Sequence, residues 1–568
     1  MRQSHDRDDS TTVDSRRPWL IALVTAVAAL LTSGVGRAEA PEQRAIAAIV
    51  RDSNPAVPGA QHPLPLAASW NTGLRALGFS PDWQVEQIRR GRYLLPWMVL
   101  SPPPKGPAYV GYASVFDATY YASAIEFLAQ HRLPLSFEMD PWESLLPRES
   151  PFYARTDAHG SGLPLSPFGP VRPWYEAGRA WARHPSLRQL QRLYPDPPLV
   201  LFISDNEAER VSADDLHAPY SVDASPQVIA RRRAIGDAWI VRYKAMIRGF
   251  RDGLDAPGWR AHARFIGYNA FAMPAIGRWS GWGSYSLYVP GRISPWPYAW
   301  DGASPSYYVN NWAPDSDYTV WSPEIEAMNY VPDLAEVRRT EPDFWFELST
   351  WDGQEPGDPS DKRLYYESRG QRLTPDRYGG MVQFGMWLLR PRIVREFRNW
   401  TDDRLRFEPY FDQIMDAVAR VHRDPVLRDF WLHGRLLQNP AGEHPYESAL
   451  TPEFASRPRW FLLDTPANPP RPWQLTTPLA VYALALVQGR RPSREWLVYA
   501  FSPLGRSADV QVRIPHGPEV TVRAARSGAF TLVRESGPGG RLLTQVYAAH
   551  GRADKTVQGN LGKLLIAR

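Results

Sequence analysis

The chain has 568 residues, of which 43% are hydrophobic and 22% charged, so it is not an intrinsically disordered protein and is long enough for two domains. Its net charge of +5 is small for this length, and no block of Lys and Arg is present, which argues against nucleic acid as a partner. There is no cysteine, which excludes disulfides, thiol nucleophiles and cysteine-bound metals.

The first forty residues have the layout of an export signal. Arg16 and Arg17 precede an apolar stretch from Trp19 to Leu31, and small residues follow it. This stretch is too short for a membrane span, and no other stretch is long and apolar enough. We therefore predict that residues 1–40 are a signal peptide and that the protein is periplasmic or secreted. The twin arginines leave open whether export uses the general or the twin-arginine route.

Short apolar strands alternate with helical stretches between about residues 60 and 435, which predicts a parallel sheet with crossover helices. Eight strands can be placed there, the number on which a (β/α)8 TIM barrel closes. The predicted strands are Leu64–Trp70, Tyr93–Leu100, Pro134–Met139, Leu199–Ser204, Arg264–Tyr268, Ser306–Val309, Phe344–Leu348 and Met381–Trp387. We therefore predict an α/β fold with the barrel over residues 41–435.

The end of the chain follows a different pattern. Four short segments are separated by Gly, Pro or Ser, and several of them alternate apolar and polar residues, as half-buried antiparallel strands do. They are Trp496–Phe501, Val510–Ile514, Val520–Ala524 and Phe530–Val533. We predict a small antiparallel β-sandwich domain over residues 474–568, which a Pro-rich segment, 436–473, joins to the barrel.

A glutamate follows the fourth predicted strand, where the sequence reads Asp205-Asn206-Glu207. A carboxylate at the end of a buried strand costs free energy unless something uses it, and barrel enzymes carry catalytic groups at these strand ends. Burial and a second carboxylate would raise the pKa of Glu207, as a general acid needs. A surface acid that caps the next helix is the alternative, and Asp205 and Glu209 compete for the role.

A second glutamate, Glu347, lies in the seventh predicted strand between Phe346 and Leu348. Two glutamates at barrel strand ends are what retaining glycoside hydrolysis needs, one as acid/base and one as nucleophile. Glu207 is the predicted acid/base and Glu347 the predicted nucleophile. A structural salt bridge is the alternative for Glu347.

Other residues predict a sugar-binding surface. After the third strand, Glu138 and Asp140 could bind sugar hydroxyls, although a structural role at the barrel rim competes equally. The loop after the fifth strand carries seven aromatic residues, Trp282 among them, in a setting rich in Gly, Ser and Pro. Such rings are poor core material, so we expect them to stack on sugars.

The order of these features resembles the clan A glycoside hydrolases, which are retaining (β/α)8-barrel enzymes. In that clan an Asn-Glu pair ends strand four and a Glu ends strand seven, which Asn206, Glu207 and Glu347 match. The resemblance covers roughly residues 60–435 and implies that Tyr308 bonds the nucleophile and that Trp387 forms an aromatic floor for the sugar. The clan's arginine on strand two is not identified, and no family within the clan is matched.

The sequence therefore predicts an exported, retaining glycoside hydrolase that acts on a β-linked polysaccharide or oligosaccharide without a cofactor or metal. The predicted substrate-binding residues are Asn206, Tyr308, Trp387, Trp70, Glu138, Asp140, Trp282 and Trp351. Two other functions stay open: a non-catalytic carbohydrate-binding protein on the same barrel, and a cell-envelope transglycosylase that uses the same two acids. The sequence pattern does not distinguish between different sugars and linkages, between endo and exo cleavage, or between oligomeric states.

Overall fold

The structure of the protein is a computed structural model. It describes residues 40–53, 59–71, 80–100, 118–139, 168–204, 225–267, 298–309, 323–352, 373–398, 404–438, 481–503, 505, 507–536, 541–547 and 565–566. Residues 1–39 of the predicted signal peptide lie outside this part of the chain, as does most of the predicted connecting segment. Of the described helices, none combines the length and apolarity that crossing a bilayer requires.

The first part of the chain forms a parallel β-barrel. Its described strands are β1 (Leu66–Asn71), β2 (Trp97–Leu100), β3 (Leu135–Met139), β4 (Val200–Ser204), β5 (Ala263–Gly267), β6 (Gly302–Ala303), β7 (Ser306–Tyr308), β8 (Trp345–Trp351) and β9 (Ile393–Arg398). They pair in the order β1–β9–β8–β6–β5–β4–β3–β2, and β7 pairs with the later residues of β8 beside β6. β6 and β7 thus share one of eight barrel positions.

The barrel closes between β1 and the segment before β2. Ala67 donates its N–H to the carbonyl of Tyr93 at 2.9 Å, and Leu95 donates to the carbonyl of Ala67 at 2.8 Å. Because every edge is then paired, the sheet is a closed barrel. The predicted TIM-barrel fold is confirmed by this strand pairing.

Helices surround the barrel. The described helices are α1 (Pro41–Ser53), α2 (Pro81–Arg89), α3 (Ala118–Gln130), α4 (Arg172–Ala182), α5 (Pro185–Leu193), α6 (Pro226–Gly253), α7 (Pro257–His262), α8 (Pro323–Thr340), α9 (Pro375–Leu389), α10 (Arg404–Arg423) and α11 (Pro425–His433). Eight of these eleven begin with proline, whose fixed φ and missing N–H suit the first helical position. Part of the high proline content therefore starts helices.

The last part of the chain forms a β domain. Its described strands are β10 (Arg435–Leu436), β11 (Tyr482–Gln488), β12 (Glu495–Phe501), β13 (Ala508–Arg513), β14 (Glu519–Ala524), β15 (Ala529–Ser536), β16 (Arg541–Tyr547) and β17 (Leu565–Ile566). Six form an antiparallel sheet in the order β10–β11–β12–β15–β16–β17, and β13 pairs with β14 as a hairpin.

The six-stranded sheet has two buried faces. One face packs on the barrel helices, where Phe530 of β15 lies 5.2 Å from the ring of Trp387 in α9. The other face packs on the β13–β14 hairpin, where Val498 and Val533 share a core with Val522. This arrangement agrees with the predicted small antiparallel β domain and fixes it firmly to the barrel.

Two strand predictions need correction. Residues 381–387 are not a strand: they lie inside α9, and the last barrel strand is β9, at residues 393–398. The seventh barrel position, β8, does not end at Leu348 but continues to Trp351.

Candidate active site

The contacts of β8 show which of its side chains enter the barrel. The hydroxyl of Thr350 lies 2.8 Å from that of Tyr378 in α9, so Thr350 faces the helices. Because successive side chains of a strand alternate, Glu347, Ser349 and Trp351 face the opposite side, which is the barrel interior.

Glu347 is fully buried and ion-paired. Arg395 of β9 donates to both of its oxygens, from Nε to Oε2 at 2.8 Å and from Nη2 to Oε1 at 3.3 Å. The indole Nε1 of Trp345 donates to Oε1 at 2.9 Å. The bond that the resemblance implied from Tyr308 to Glu347 is not formed among these described groups, and the hydroxyl of Tyr308 instead lies 3.5 Å from that of Ser349.

Arg395 connects three walls of the barrel. Besides Glu347, its guanidinium donates to the hydroxyl of Ser136 in β3 at 3.0 Å and to the carbonyl of Ser69 in β1 at 3.4 Å. Arg395 is 1% exposed, so its charge is compensated almost entirely by these groups. Arg395 was not among the predicted site residues, because the eighth strand was predicted at residues 381–387 instead of 393–398.

Glu138 also lies inside the barrel. Ser136 faces inward towards Arg395, whereas Phe137 faces outward and stacks on Trp259 of α7 at 5.7 Å. By the same alternation, Glu138 faces the interior two residues nearer to the C-terminal end of β3. It is 3% exposed, so this predicted substrate-binding carboxylate is in the barrel and close to its mouth.

Three aromatic rings meet where β7, β8 and β9 end. Tyr308 stacks on Phe397 with centroids 5.8 Å apart, and the ring of Trp351 stands edge-on to both at 5.4 and 5.7 Å. Tyr308 and Trp351 are buried, while Phe397 is partly exposed. The structure thus brings together two of the predicted substrate-binding residues, and it adds Phe397, which the sequence analysis did not name.

Glu347 lies deeper than a strand-end position. It is the third of the seven residues in β8, and Trp351 is the last. At about 3.3 Å per residue, the Cα atoms of Glu347 and Trp351 are about 13 Å apart along the strand. The predicted location of Glu347 at the strand end is therefore wrong, although its chemical role is untested.

The depth of Glu347 bears on its pairing with Glu207. Through Arg395, the carboxylate of Glu347 is held near Ser136, which pairs with Leu201 of β4. Ser204 ends β4 three residues later, and Glu207 follows after three more. A retaining pair has its carboxyl groups about 5–5.5 Å apart, and Glu207 itself lies outside the described residues.

Asp352 is the carboxylate at the observed end of β8. It follows Trp351 directly and is fully buried. Asp352 lies beyond the last residue of β8, so the alternation along the strand does not fix the direction of its side chain. Because catalytic groups of barrel enzymes lie at the C-terminal ends of strands, Asp352 is a second candidate for the role predicted for Glu347.

The remaining predicted site residues lie outside the described residues, in β1 or in α9. Asn206, Glu207, Asp140 and Trp282 lie outside the described residues. Trp70 is in β1, where its Cα pairs with that of Phe397 at the C-terminal end of the barrel.

Trp387 is misplaced by the sequence analysis. It is 1% exposed in α9, outside the barrel, and its ring packs edge-on against Trp431 of α11 at 5.2 Å. An indole enclosed between two helices and the β domain has no surface for a sugar, so Trp387 is a core residue. No group of three or more His, Asp or Glu among the described residues could hold a metal ion.

Comparisons with known proteins complete the description of the site. No protein-family model matches the chain, and no curated protein matches it. Its structure is similar to a modular endo-β-1,4-mannanase of Cellulomonas fimi, described with glycoside hydrolase family 26 (TM-score 0.35, 10% identity, 89% of this chain and 98% of that one). It is also similar to a GH30 endoxylanase of Clostridium papyrosolvens (TM-score 0.33, 9% identity, 84% and 98%) and to endoglucanase Cel5A of Thermotoga maritima (TM-score 0.30, 11% identity, 66% and 99%).

The matched structures include clan A glycoside hydrolases, the group that the sequence resembles, and no single family is resolved. With every quoted identity at or below 11% and every TM-score at or below 0.35, the likeness assigns no activity to this chain. The barrel itself is established by the strand pairing.

Proposed function

We propose that the chain is a glycoside hydrolase that cleaves a β-linked polysaccharide or oligosaccharide with retention of configuration. The observation that carries the proposal is the barrel mouth, where the rings of Tyr308, Trp351 and Phe397 meet beside an interior that holds Glu138 and Glu347. The C–H faces of sugar rings pack on aromatic rings, and sugar hydroxyls bind carboxylates. Barrel enzymes carry their chemistry at this face.

Glu207 is the proposed acid/base, because it follows β4 by three residues in the sequence and barrel enzymes carry catalytic groups after the C-terminal ends of their strands. It would protonate the leaving oxygen while a carboxylate attacks the anomeric carbon. It would then take a proton from a water molecule. The oxygen of that water attacks the anomeric carbon and displaces the carboxylate, which releases the sugar from the enzyme.

The proposed nucleophile comes from the segment of β8. Glu347 is the sequence-based candidate, and its three hydrogen bonds would hold an ionised carboxylate in place. The same bonds also fit an ion pair that joins β8 to β9, and Asp352 lies nearer to the mouth. The two residues therefore have to be tested side by side.

The test compares Glu207→Ala, Glu347→Gln and Asp352→Asn, with Glu86→Gln on the outer helix α2 as a control. Glu207→Ala should keep turnover of aryl glycosides whose leaving group needs no proton, and azide should accelerate that turnover by replacing water. The nucleophile variant should lose turnover of all substrates while it stays folded at the assay temperature and still binds oligosaccharide. Full activity of Glu347→Gln and of Asp352→Asn would refute a nucleophile on this segment.

The alternatives predict other results. A carbohydrate-binding protein would show no turnover in the wild type and unchanged affinity in all variants. A transglycosylase would lose the same activities as a hydrolase, but its products would be longer oligosaccharides instead of free reducing ends.

We also propose that residues 1–40 direct export. Fused to a reporter enzyme, this segment should carry the reporter out of the cytoplasm, and the mature chain should begin near Glu39 or Pro41. Replacement of Arg16 and Arg17 by lysines should abolish export only if the twin-arginine route is used. A chain that stays in the cytoplasm with Met1 intact would refute the proposal.

A further inference from the structure

A groove lies at the junction of the barrel and the β domain. Its volume is about 980 Å³, near the upper end of the range of small-molecule sites. One wall contains Gln61 and His433, and the other is formed by the ends of β11 and β12. Gln61 precedes β1, so the groove opens at the N-terminal face of the barrel, opposite the proposed active site.

The residues that line the groove are basic. Among the described residues, the lining includes no carboxylate but has three arginines and two histidines: Arg435, Arg490, Arg494, His433 and His516. Arg494 is neutralised by Glu535, with Nε 2.9 Å from Oε2. Within the described part of the chain, Arg435 and Arg490 form no ion pair, and both are exposed. Two guanidinium groups are therefore left to bind an anion.

The groove also contains side-chain amide groups. Gln61, Gln438 and Gln488 all line the groove. The Nε2 group of Gln488 is buried and has no hydrogen-bond partner among the described residues. A buried donor without a partner is unfavourable, and an acceptor oxygen of a bound molecule that reached it would remove this cost. The groove can therefore form hydrogen bonds to hydroxyl or ring oxygens of a ligand as well as ion pairs with its negative charges.

We propose that this groove binds an acidic oligosaccharide, a glycan segment that carries carboxylate or sulfate groups. Arg435 and Arg490 would pair with the acidic groups, since guanidinium matches planar and tetrahedral oxyanions with two parallel hydrogen bonds. The glutamine amides would bond to the hydroxyls. The choice of a glycan rests on the proposed function, whereas the requirement for negative charge rests on the groove alone.

Two observations favour a glycan over other anions. The groove is far larger than a single phosphate or sulfate ion requires. Among its described residues, the groove also offers no exposed ring of Trp, Tyr or Phe on which nucleic-acid bases could stack, because Trp496, the one tryptophan among them, is buried beneath Arg494 at 4.7 Å. A site at this face would hold an acidic polysaccharide on the enzyme while another part of the chain is cleaved at the mouth.

The test is calorimetric titration of the full chain with three trisaccharides: a galacturonate, a sulfated galactan fragment and a neutral β-glucan. Both acidic probes or one of them should bind, and the neutral probe should bind at least about tenfold more weakly. The double variant Arg435→Gln/Arg490→Gln should reduce acidic binding by about tenfold or more, and Gln488→Leu should reduce it without a change in charge. The matched control is Arg233→Gln/Arg260→Gln, which removes two exposed arginines from α6 and α7.

Equal binding of acidic and neutral probes, or unchanged binding by the groove variant, would overturn the proposal. So would inorganic sulfate or a short oligonucleotide that binds as tightly as the acidic trisaccharides. These outcomes are separable from the proposed function. Hydrolysis of small aryl glycosides should be the same in the groove variant and the wild type, whereas a protein that binds acidic glycans here but cleaves nothing would refute only the hydrolase.

Discussion

Arg395 and Glu347 form a buried ion pair that joins the seventh and eighth positions of the barrel. Both side chains are almost fully enclosed, and Nε and Nη2 of the guanidinium lie 2.8 and 3.3 Å from the two carboxylate oxygens. A single charged side chain would be unfavourable in the apolar interior of the barrel, and the ion pair compensates both charges. A pair of this kind compensates a desolvation cost more than it adds stability, so its removal should be costly only when one partner is left behind.

This asymmetry predicts the result of a double-mutant cycle. Glu347→Gln and Arg395→Gln should each lower the free energy of unfolding by about 3 kcal/mol, because each leaves a buried charge without its partner. The double variant should lose less than the sum, with a coupling of about 1–3 kcal/mol. Urea unfolding measures all four proteins. Additive losses would show that the two groups do not stabilise each other.

Trp351 and Trp387 should respond differently to truncation. Trp351→Ala removes a ring at the barrel mouth, so we expect KM for oligosaccharides to rise. Trp387→Ala empties a site between α9, α11 and the β domain and should cost about 3–5 kcal/mol of stability, with turnover per folded molecule unchanged. Melting curves and kinetics of both variants provide the comparison. A rise in KM for Trp387→Ala alone would restore the original sequence-based assignment.

The crossing of α4 and α6 depends on glycine. A Cβ on Gly178 would lie 2.0 Å from the carbonyl oxygen of Met246, and a Cβ on Gly249 would lie 1.9 Å from that of Tyr175. Gly178→Ala must push the helices apart and should destabilise by about 1–3 kcal/mol, although alanine favours helices. Ala180→Ser, on the exposed side of α4, is the control and should change little. A neutral or stabilising Gly178→Ala would contradict the close crossing.

His422 gives the fold a predictable dependence on pH. Its pKa is lowered to about 3, chiefly by burial between α1 and the barrel and also by the charges of Arg428, Arg51 and Arg423, while its hydrogen bond to the carbonyl of Pro65 acts in the opposite sense. The folded protein thus keeps His422 neutral where the unfolded chain, with a pKa near 6.5, takes up a proton. The unfolded state binds more protons between about pH 6.5 and pH 3, so acidification must favour unfolding.

Between pH 7 and pH 5 this effect should cost about 2 kcal/mol of stability. His422→Gln keeps a hydrogen-bond donor but has no proton to gain, so its stability should change less over the same interval. Burial raises the pKa of Asp52, which acts in the opposite direction, but that group is present in both proteins. Urea unfolding at the two pH values gives the difference within each protein. Equal differences would exclude His422 as the source.

The helix α9 explains why one barrel strand was missed from the sequence. Every residue from Arg377 to Leu389 is buried, because α9 lies between the barrel and the β domain. A helix buried on all sides has no apolar stripe of period 3.6, so its run of apolar residues resembles a buried strand. The real strand, β9, contains Arg395, Glu396 and Arg398, and the charge of Arg395 is compensated by Glu347, which is distant in sequence.

The end of β8 was misjudged for a similar reason. Ser349 and Thr350 interrupt the apolar run after Glu347 and indicate a strand end. In the structure both are buried, and the hydroxyl of Thr350 bonds to Tyr378 and to the carbonyl of Arg395. Local pattern was enough to predict the barrel, the order of its parts and the β domain. It could not reveal that buried polar groups of β8 form hydrogen bonds to residues distant in sequence. These bonds allow β8 to continue beyond Glu347, which therefore lies inside the barrel and not at the strand end.

The anomer that is released first tests the central claim most directly. Proton NMR can follow the wild-type protein as it acts on β-linked oligosaccharides, before the products equilibrate between their α and β forms. A retaining hydrolase passes through a glycosyl-enzyme, so the β anomer should appear first and the α anomer should follow only by slow equilibration. Initial release of the α anomer would show inversion, and an absence of any cleaved product across neutral and acidic β-linked substrates would contradict the proposed hydrolase.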